Sequence, residues 1–166
     1  MTAHLAVGDT APDFTLPSQR GGEVRLSSLL GGHGIVLYFY PKDNTPGCTA
    51  EAKAFRDRYD VFRKMGAEVI GISSDSVDTH ADFAARCELP FTLLSDPGGK
   101  VRKLYGVPST MGLLPGRVTY IIDGGGVVRH IFNSQFNVAK HVDEAINVLK
   151  SIRAEGQSRP SEDAPT

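Results

Sequence analysis

The feature that most limits the fold of this chain is a buried-strand pattern that leads directly into a helix pattern. Residues 35–40 form an unbroken apolar run, which predicts a strand covered on both faces. After Pro46, apolar residues recur at three- and four-residue spacing, which predicts a helix with one apolar face formed by Ala52, Phe55, Tyr59 and Phe62. A strand, a short loop and a helix in this order predict a right-handed βαβ unit.

The remainder of the chain continues this alternation. Residues 123–126, an aspartate followed by three glycines, predict a hairpin turn, so the last two strands should be antiparallel. The fold class is therefore predicted to be α/β, with a central mixed sheet flanked by helices. Strands are predicted at 35–40, 67–73, 91–94, 118–122 and 127–132, and helices at 46–65, 78–88, 98–105 and 138–153.

Length and composition predict a single domain. With 166 residues and 40% hydrophobic content, the chain can bury roughly two-thirds of its unfolded surface around one core. We place this domain at residues 1–154. Residues 155–166 have no hydrophobic periodicity, and they are predicted to form a disordered C-terminal tail.

Charge and hydropathy argue against two classes of partner. The 18 basic and 19 acidic residues give a formal net charge of -1 without long runs of either sign, so neither nucleic acid nor an anionic membrane is expected to bind. No apolar stretch approaches the roughly 20 residues of a membrane span, and the N-terminus has no basic region followed by an apolar one. A cytoplasmic protein is expected. Its two cysteines should rest there as thiols.

Cys48 is the leading candidate for a reactive group. Thr45 fits the N-cap position of the predicted helix and Pro46 fits the first helical position, which places Cys48 third. Unpaired backbone N–H groups and the positive end of the helix dipole favour a thiolate there. A nucleophilic sulfur is therefore expected at the end of a buried strand.

The residues around Cys48 also resemble a known family. Pro41, Thr45 and Cys48 match the Pro-x-x-x-Thr-x-x-Cys signature of peroxiredoxins, and their neighbours resemble the bacterioferritin comigratory protein, or peroxiredoxin Q, branch. Further similar stretches cover most of the chain: residues 8–14, 71–73, 91–96 and 116–123. This resemblance implies the peroxiredoxin variant of the thioredoxin-like fold and a thiol-dependent, antioxidant peroxidase.

The resemblance also implies a reaction and its partners. Cys48 would attack hydrogen peroxide or an organic hydroperoxide and become a sulfenic acid. A thioredoxin, a glutaredoxin or a low-molecular-weight thiol would then supply reducing equivalents. No cofactor is expected. No metal is expected either, because the five histidines show no metal-ligand spacing: His4, His33, His80, His130 and His141.

Two loop residues each have a functional and a structural interpretation. The resemblance assigns Thr45 a hydrogen bond to the substrate, whereas the residue alone is equally well explained as an N-cap worth about 1 kcal/mol. Pro41 would shield the sulfur from water in the family, whereas a proline after a strand more often simply ends the strand. The register of both residues with Cys48 favours the functional interpretation.

An arginine and a glutamate complete the implied site. Arg117 matches the catalytic arginine of the family, whose guanidinium would hold the thiolate and the peroxide together. From spacing alone Arg117 would be a surface charge at a strand end. Glu51 lies one turn after Cys48 and could orient that arginine, although an acidic residue in a first turn more often just complements the helix dipole.

The second cysteine leaves the recycling step open. Many members of the branch carry a second cysteine five residues after the first, but position 53 is Lys53. Cys87 is then the remaining internal candidate to resolve the sulfenic acid. It shares a helix face with Phe83 and Ala84, so it is equally well explained as a small core residue. If Cys87 is inert, an external thiol completes the cycle.

Two further hypotheses concern the surroundings of the site and a rival function. The apolar side chains of Met111, Leu113 and Leu114 are expected to admit organic hydroperoxides, to form a homodimer contact or simply to pack under a loop. The chain is accordingly expected to be a monomer or a homodimer. The rival function is a redox-sensing or holdase-like binding protein that uses Cys48 as a switch and turns over slowly.

Overall fold

The computed structural model of the protein describes residues 5–32, 34–107, 109–110, 114–134 and 137–157. Two short 3₁₀ turns, Leu26–Leu29 and Pro97–Gly99, accompany the strands and α-helices. In chain order, these are β1 (Thr15–Pro17), β2 (Glu23–Arg25), β3 (Gly34–Phe39), α1 (Pro46–Asp57), α2 (Tyr59–Lys64), β4 (Ala67–Ser73), α3 (Val77–Cys87), β5 (Thr92–Ser95), α4 (Lys100–Tyr105), β6 (Ser109–Thr110), β7 (Leu114–Pro115), β8 (Val118–Ile122), β9 (Val128–Asn133) and α5 (Val138–Gln157).

The main sheet has five strands in the order β5-β4-β3-β8-β9. β3, β4 and β5 run parallel, whereas β8 is antiparallel to both β3 and β9. The predicted α/β class with a mixed central sheet is confirmed. The hairpin at 123–126 is confirmed as well, since the amide of Gly126 donates to the carbonyl of Asp123 over 3.0 Å.

β3 is buried on both faces because its alternating side chains enter two separate cores. Val36 and Tyr38 face one core, where α1, α2, α3 and α5 pack. Ile35, Leu37 and Phe39 face the other, which α4 and the N-terminal segment cover. Each fully buried side chain of this size stabilises the fold by roughly 1.5–3 kcal/mol, so β3 anchors both layers.

Two predicted helix boundaries are wrong. The helix expected at 46–65 is two helices, because Arg58 leaves helical geometry at φ −111° and ψ 12°. Packing rather than a helix-breaking residue accounts for this bend, since Phe62 lies fully buried beside Phe55 with ring centroids 5.8 Å apart. The C-terminal helix reaches Gln157 rather than 153, so residues 155–157 belong to α5 and not to the predicted tail.

An ion pair lies in the added part of the C-terminal helix. Glu155, in the last turn, pairs with Arg129 of β9, a partner that helix periodicity does not reveal. Residues 158–166 lie outside the described residues, so the tail there and the domain boundary stay predictions.

The strands β1, β2, β6 and β7 were not predicted, because two or three residues are too few to show an alternating pattern. Within the described ranges, no helix has the length and apolar character to cross a bilayer.

The strand register places the ends of two distant segments together. Phe39, the last residue of β3, pairs with Val118, the first residue of β8. The loop that follows β3 and leads to Cys48 therefore lies beside Arg117, which immediately precedes β8. This edge of the sheet holds the candidate site.

Candidate active site

Cys48 lies in the first turn of α1, as the sequence predicted. Thr45 occupies the N-cap position, Pro46 begins the helix and the first intrahelical bond joins the amide of Thr49 to the carbonyl of Thr45 over 2.9 Å. Cys48 is a free thiol with an exposed fraction of 1%. The positive end of the helix dipole and the unpaired first-turn amides therefore lie beside a sulfur that is shielded from water.

Arg117 joins Cys48 and Glu51 across the sheet edge. Its Nη2 donates to Cys48 Sγ over 3.5 Å and its Nη1 donates to Glu51 Oε1 over 2.5 Å. Burial lowers the pKa of Arg117, but Glu51 and Cys48 outweigh that effect and the net shift is upward. The arginine is therefore not the surface charge that spacing alone suggested: its residue is 4% exposed.

Gly47 makes this approach of Arg117 possible. A Cβ atom at position 47 would lie 2.9 Å from Arg117 Nη2, closer than packed atoms allow. A side chain there would displace the guanidinium from the sulfur. Sequence reasoning missed this role, because a glycine beside a helix N-terminus shows nothing of what passes over it.

Glu51 is fully buried with only half of its carboxylate paired. Oε1 accepts from Arg117, whereas Oε2 has no hydrogen-bond partner among the described residues. Burial raises the pKa of Glu51 to about 7, against the opposing attraction of Arg117. The orienting contact with Arg117 that the sequence suggested is therefore present, and the carboxyl takes up a proton near neutral pH.

Thr45 occupies its predicted position but does not make the predicted cap. Its hydroxyl donates to the carbonyl of Lys42 over 2.8 Å, and no side-chain cap to a described helix amide is formed. This contact closes the loop between residues 42 and 45 and uses the hydroxyl proton. The lone pairs of Oγ1 remain available to accept a hydrogen bond. The side-chain capping interpretation is wrong.

A second buried arginine, Arg102 of α4, was not predicted. Its Nη2 donates to the carbonyl of Tyr40 over 2.8 Å and its Nη1 donates to the carbonyl of Gly116 over 3.1 Å. These residues immediately precede Pro41 and Arg117, so one guanidinium links the two loops that form the site. The available signal was an arginine three residues before Tyr105, on the apolar face of a predicted helix.

A polar network behind the loop was also missed. Asp43 accepts from the phenol of Tyr40 over 2.6 Å and lies 2.5 Å from His80 Nδ1, while the other ring nitrogen of His80 lies 2.9 Å from the carbonyl of Leu94. Ligand atoms of Asp43, Asp75 and His80 lie within 4.8 Å of one another, so these three could in principle hold a cation. Hydrogen bonds already engage the three side chains. The cluster therefore ties the loop before Cys48 to α3.

Cys87 is the last residue of α3 and is 4% exposed. Its thiol is free, and it lies in the same core as Phe83. Its carbonyl accepts from Arg56 Nη1 over 2.8 Å. The structure therefore places both cysteines in one core but does not join them.

Several predicted residues cannot be placed. His4, His33, Met111 and Leu113 lie outside the described residues, as does the side chain of Leu114. The hypotheses on organic hydroperoxides and dimer contact that depend on these apolar residues stay predictions. The described histidines divide by burial: His80 and His141 are fully buried, and His130 is partly exposed.

Comparison with known proteins decides the family. The model of the AhpC/TSA family matches residues 7–131. The chain belongs to the AhpC/TSA family. Among relatives of this AhpC/TSA protein, chloroplastic peroxiredoxin Q of Sedum lineare is 53% identical over 152 residues, which cover 91% of this chain and 81% of the relative. Chloroplastic peroxiredoxin Q of Arabidopsis thaliana is 55% identical over 150 residues, covering 90% and 69%.

Solved structures of related proteins support the same family assignment. Peroxidoxin BcpB from Mycobacterium tuberculosis superimposes with a TM-score of 0.83 and 41% identity, over 90% of this chain and 99% of that one. Bacterioferritin comigratory protein from Xanthomonas campestris, whose structures concern alkyl peroxide reduction, gives a TM-score of 0.78 and 31% identity, over 89% and 96%. The peroxiredoxin Q resemblance and the peroxiredoxin variant of the thioredoxin-like fold are confirmed.

The comparisons confirm one functional expectation and overturn another. The protein is a thiol-dependent peroxidase of the peroxiredoxin family that acts on peroxides. The expectation of a cytoplasmic protein is wrong, because its curated relatives are named chloroplastic. That expectation depended on the residue pattern at the start of the sequence, and such a pattern does not identify a compartment.

Proposed function

We propose that Cys48 is the sulfur that reduces the peroxide and that Arg117 holds it in place. The Cys48 thiolate attacks the terminal oxygen, the S–O bond forms and the O–O bond breaks. Two electrons pass from sulfur to the peroxide, and the leaving oxygen takes one proton to become water or an alcohol. The observation that carries this proposal is the 3.5 Å contact between Arg117 Nη2 and Cys48 Sγ at the start of α1.

The roles of the neighbouring residues follow from their atoms. A peroxide that enters above Cys48 brings negative charge onto its leaving oxygen, and the fixed donors of Arg117 can stabilise that charge as it develops. The hydroxyl of Thr45 already donates a hydrogen bond to the carbonyl of Lys42, so we assign its Oγ1 as an acceptor for the O–H of the substrate. Pro41 has no N–H and therefore adds no donor that would compete for the sulfur. Glu51 keeps the guanidinium turned toward Cys48.

We propose that Cys87 resolves the sulfenic acid through local unfolding, with an external thiol as the alternative. Arg56, which binds the carbonyl of Cys87, lies eight residues after Cys48, or about 12 Å along α1. A disulfide requires Cα atoms within about 7 Å of each other. We therefore expect the first turn of α1, the last turn of α3 or both to open before the two sulfurs meet. A thioredoxin, a glutaredoxin or a small thiol would reduce the product.

The decisive experiment is mass analysis of the intact protein after one equivalent of hydrogen peroxide, with a reagent that traps sulfenic acid. Loss of two hydrogens in the wild-type monomer, replaced in Cys87→Ser by a trapped sulfenic acid, supports the internal disulfide. Trapped sulfenic acid in both proteins supports the external thiol. If Cys48 is not oxidised in either protein, its assignment as the reacting sulfur falls.

Turnover separates the peroxidase from its rival. A peroxidase consumes many equivalents of peroxide when a thiol reductant is present, whereas a redox-sensing or holdase-like switch would consume about one equivalent per chain. Rates measured with hydrogen peroxide and with a bulky alkyl hydroperoxide would also test whether residues 111–114 admit organic substrates. The same preparation examined by sedimentation would distinguish a monomer from a homodimer.

A further inference from the structure

His141 lies on the far side of Glu51 from the reacting sulfur, and the site described above does not use it. His141 is fully buried on α5, and its Nδ1 lies 3.7 Å from Glu51 Oε2. That carboxylate oxygen is the one without a hydrogen-bond partner among the described residues. Two buried polar atoms therefore face each other at a distance too long for a hydrogen bond.

The contacts of His141 establish which ring nitrogen can accept. Nε2 lies 2.7 Å from the carbonyl of Ser134, and because a carbonyl can only accept, Nε2 must carry a proton. In the neutral ring, Nδ1 is then an acceptor, and it takes the hydroxyl proton of Thr119 over 2.7 Å. Burial lowers the pKa of His141 to about 4, so the ring is neutral at physiological pH. Nδ1 is therefore an acceptor that lies 3.7 Å from Glu51 Oε2, where a proton on the carboxyl would be held.

We propose that Glu51 and His141 together accept the proton of the Cys48 thiol, with His141 as the positioning residue that holds this proton on Glu51. The proposal rests on the proposed role of Cys48. Before transfer, the cluster holds a neutral thiol, the Arg117 cation and the Glu51 anion. After transfer, it holds the thiolate, the Arg117 cation and a neutral Glu51 carboxyl. This carboxyl donates to His141 Nδ1 once the 3.7 Å gap closes and the hydroxyl of Thr119 turns away from that nitrogen.

Charge balance is the physical reason for this arrangement. Loss of the thiol proton to solvent would leave two anions beside one buried cation, and an unpaired buried charge is strongly unfavourable. Transfer to Glu51 keeps the net charge of the cluster at zero in both states. When the O–O bond breaks, the same proton neutralises the leaving oxygen. That proton departs with the water or alcohol, and the cluster then contains the Cys48 sulfenic acid, charged Arg117 and charged Glu51, again with no net charge.

The other groups that face Glu51 and His141 are consistent with a single mobile proton in the cluster. Arg117 and Cys48 face Glu51 from the ends of β8 and α1, and Thr119 faces His141 from β8. The Phe132 ring of β9 packs edge-on against His141 with centroids 4.6 Å apart, which keeps water out. The phenol of Tyr38 from β3 is also buried, and burial followed by the charges of Glu51 and Cys48 raises its pKa well above its ordinary value. Tyr38 therefore stays neutral.

Two substitutions of His141 test this role, because each retains one of its ring contacts. His141→Gln keeps a donor at the position of Nε2, toward Ser134, and loses the atom that faces Glu51. His141→Asn keeps an acceptor at the position of Nδ1 and loses the contact with Ser134. Both would be made in a Cys87→Ser background, where Cys48 is the remaining cysteine of the chain. The measurement is the rate of Cys48 alkylation by iodoacetamide between pH 5 and 9.

We expect His141→Gln to move the midpoint of this profile upward by about one pH unit, a tenfold loss of thiolate below the midpoint. His141→Asn should move it by less than a third of that. Glu51→Gln, whose amide replaces the added proton with a permanent donor, should move the midpoint downward. Equal shifts in the two His141 variants, or the reverse order, would show a merely structural role and overturn the proposal.

Two controls separate the possible failures. His130→Asn changes a partly exposed histidine that pairs with Glu144 on the surface, and it should leave the profile in place. If the His141 variants do not fold, Glu51→Gln still tests the proposal, since an unchanged or raised midpoint contradicts it. Oxidation of Cys48 by peroxide with unaltered pH profiles would overturn this inference alone. Failure of the parent protein to oxidise Cys48 would overturn its proposed catalytic role as well.

Discussion

Cys48 and Cys87 are both buried, yet they lie at opposite ends of two neighbouring helices. Cys48 is the third residue of α1, at the end that carries unpaired amides and the partial positive charge of the helix dipole. Cys87 is the last residue of α3, at the end that carries the partial negative charge of the helix dipole. The exposed fractions are 1% and 4%, so burial does not distinguish the two sulfurs. What distinguishes the two sulfurs is the end of the helix at which each one lies.

Each cysteine also has an arginine nearby, and the two arginines bind different atoms. Arg117 donates to the sulfur of Cys48, whereas Arg56 donates to the carbonyl of Cys87. One guanidinium is therefore available to stabilise an anionic sulfur, and the other stabilises the end of a helix. We therefore propose that reactivity in this protein depends on where a buried cation points, and not on how accessible the thiol is.

Replacement of each cysteine sulfur by the oxygen of serine should give the largest difference in rate between the two sites. Cys48→Ser should lower peroxidase activity by roughly 10³-fold or more, because serine at that position is not ionised. Cys87→Ser should leave the rate of the first oxidation within about twofold. Single-turnover kinetics with hydrogen peroxide would measure both. Similar losses in the two variants would mean that the helix end does not separate the cysteines.

Changes at Arg117 should produce the next largest effect. Arg117→Met removes the donors to Cys48 and Glu51 and should slow the first oxidation by roughly 10²–10³-fold. Arg117→Lys keeps the charge but loses the forked guanidinium that reaches both partners. Its rate of first oxidation should therefore lie between those of Arg117→Met and wild type. Arg56→Lys, beside Cys87, is the matched control. It should slow oxidation little, and a larger effect there would contradict the contrast between the two arginines.

Loosening the loops around Cys48 should have a smaller effect. Arg102→Met removes both carbonyl contacts, to Tyr40 and Gly116, and should slow the first oxidation about tenfold with a loss of roughly 1–3 kcal/mol in unfolding free energy. Arg102→Lys should recover part of each. The neighbouring exposed Lys103→Met serves as a control. Stopped-flow oxidation and urea denaturation of each variant would show whether rate and stability change together.

The surroundings of Cys48 should also make stability depend on pH. The folded-state pKa of Glu51, about 7, lies above the ordinary glutamate value, so the folded protein binds more protons and loses stability as pH rises from about 4.5 to 7. Relative to Glu51→Gln, wild type should therefore lose roughly 2–3 kcal/mol of unfolding free energy over that range. Urea titrations at several pH values would measure it. A constant difference between the two proteins would contradict the raised pKa.

The smallest effect is expected at Cys87 itself. Cys87→Ala removes a sulfur from the apolar core and should lower the unfolding free energy by about 1 kcal/mol through a small cavity. The pH profile of Cys48 alkylation should not move. A shift of that profile would mean that the two cysteines interact electrostatically and do not act as separate sites. Thermal unfolding and alkylation of the same samples would decide this.

Local sequence determined much of what was predicted correctly. The burial of β3, the start of α1 at Pro46 and the third position of Cys48 follow from residues within a few positions of one another. Propensity did not locate the bend at Arg58, because Phe55 and Phe62 pack together there through the tertiary fold. It also misplaced the hydroxyl of Thr45, since a cap and a loop contact compete for one donor.

Only the tertiary structure decided what surrounds the sulfur. Arg117 lies 69 positions from Cys48, and Arg102 lies 62 positions from Tyr40. A local pattern carries no information on such pairs, because the sheet register brings β3 and β8 together and the helices then cover the edge. The sequence by itself predicted Cys48 as the nucleophile and, through a family resemblance, Arg117 as its arginine. The partner of Glu51, His141, emerged only once α1 and α5 were packed on one core, where burial and charge act through space.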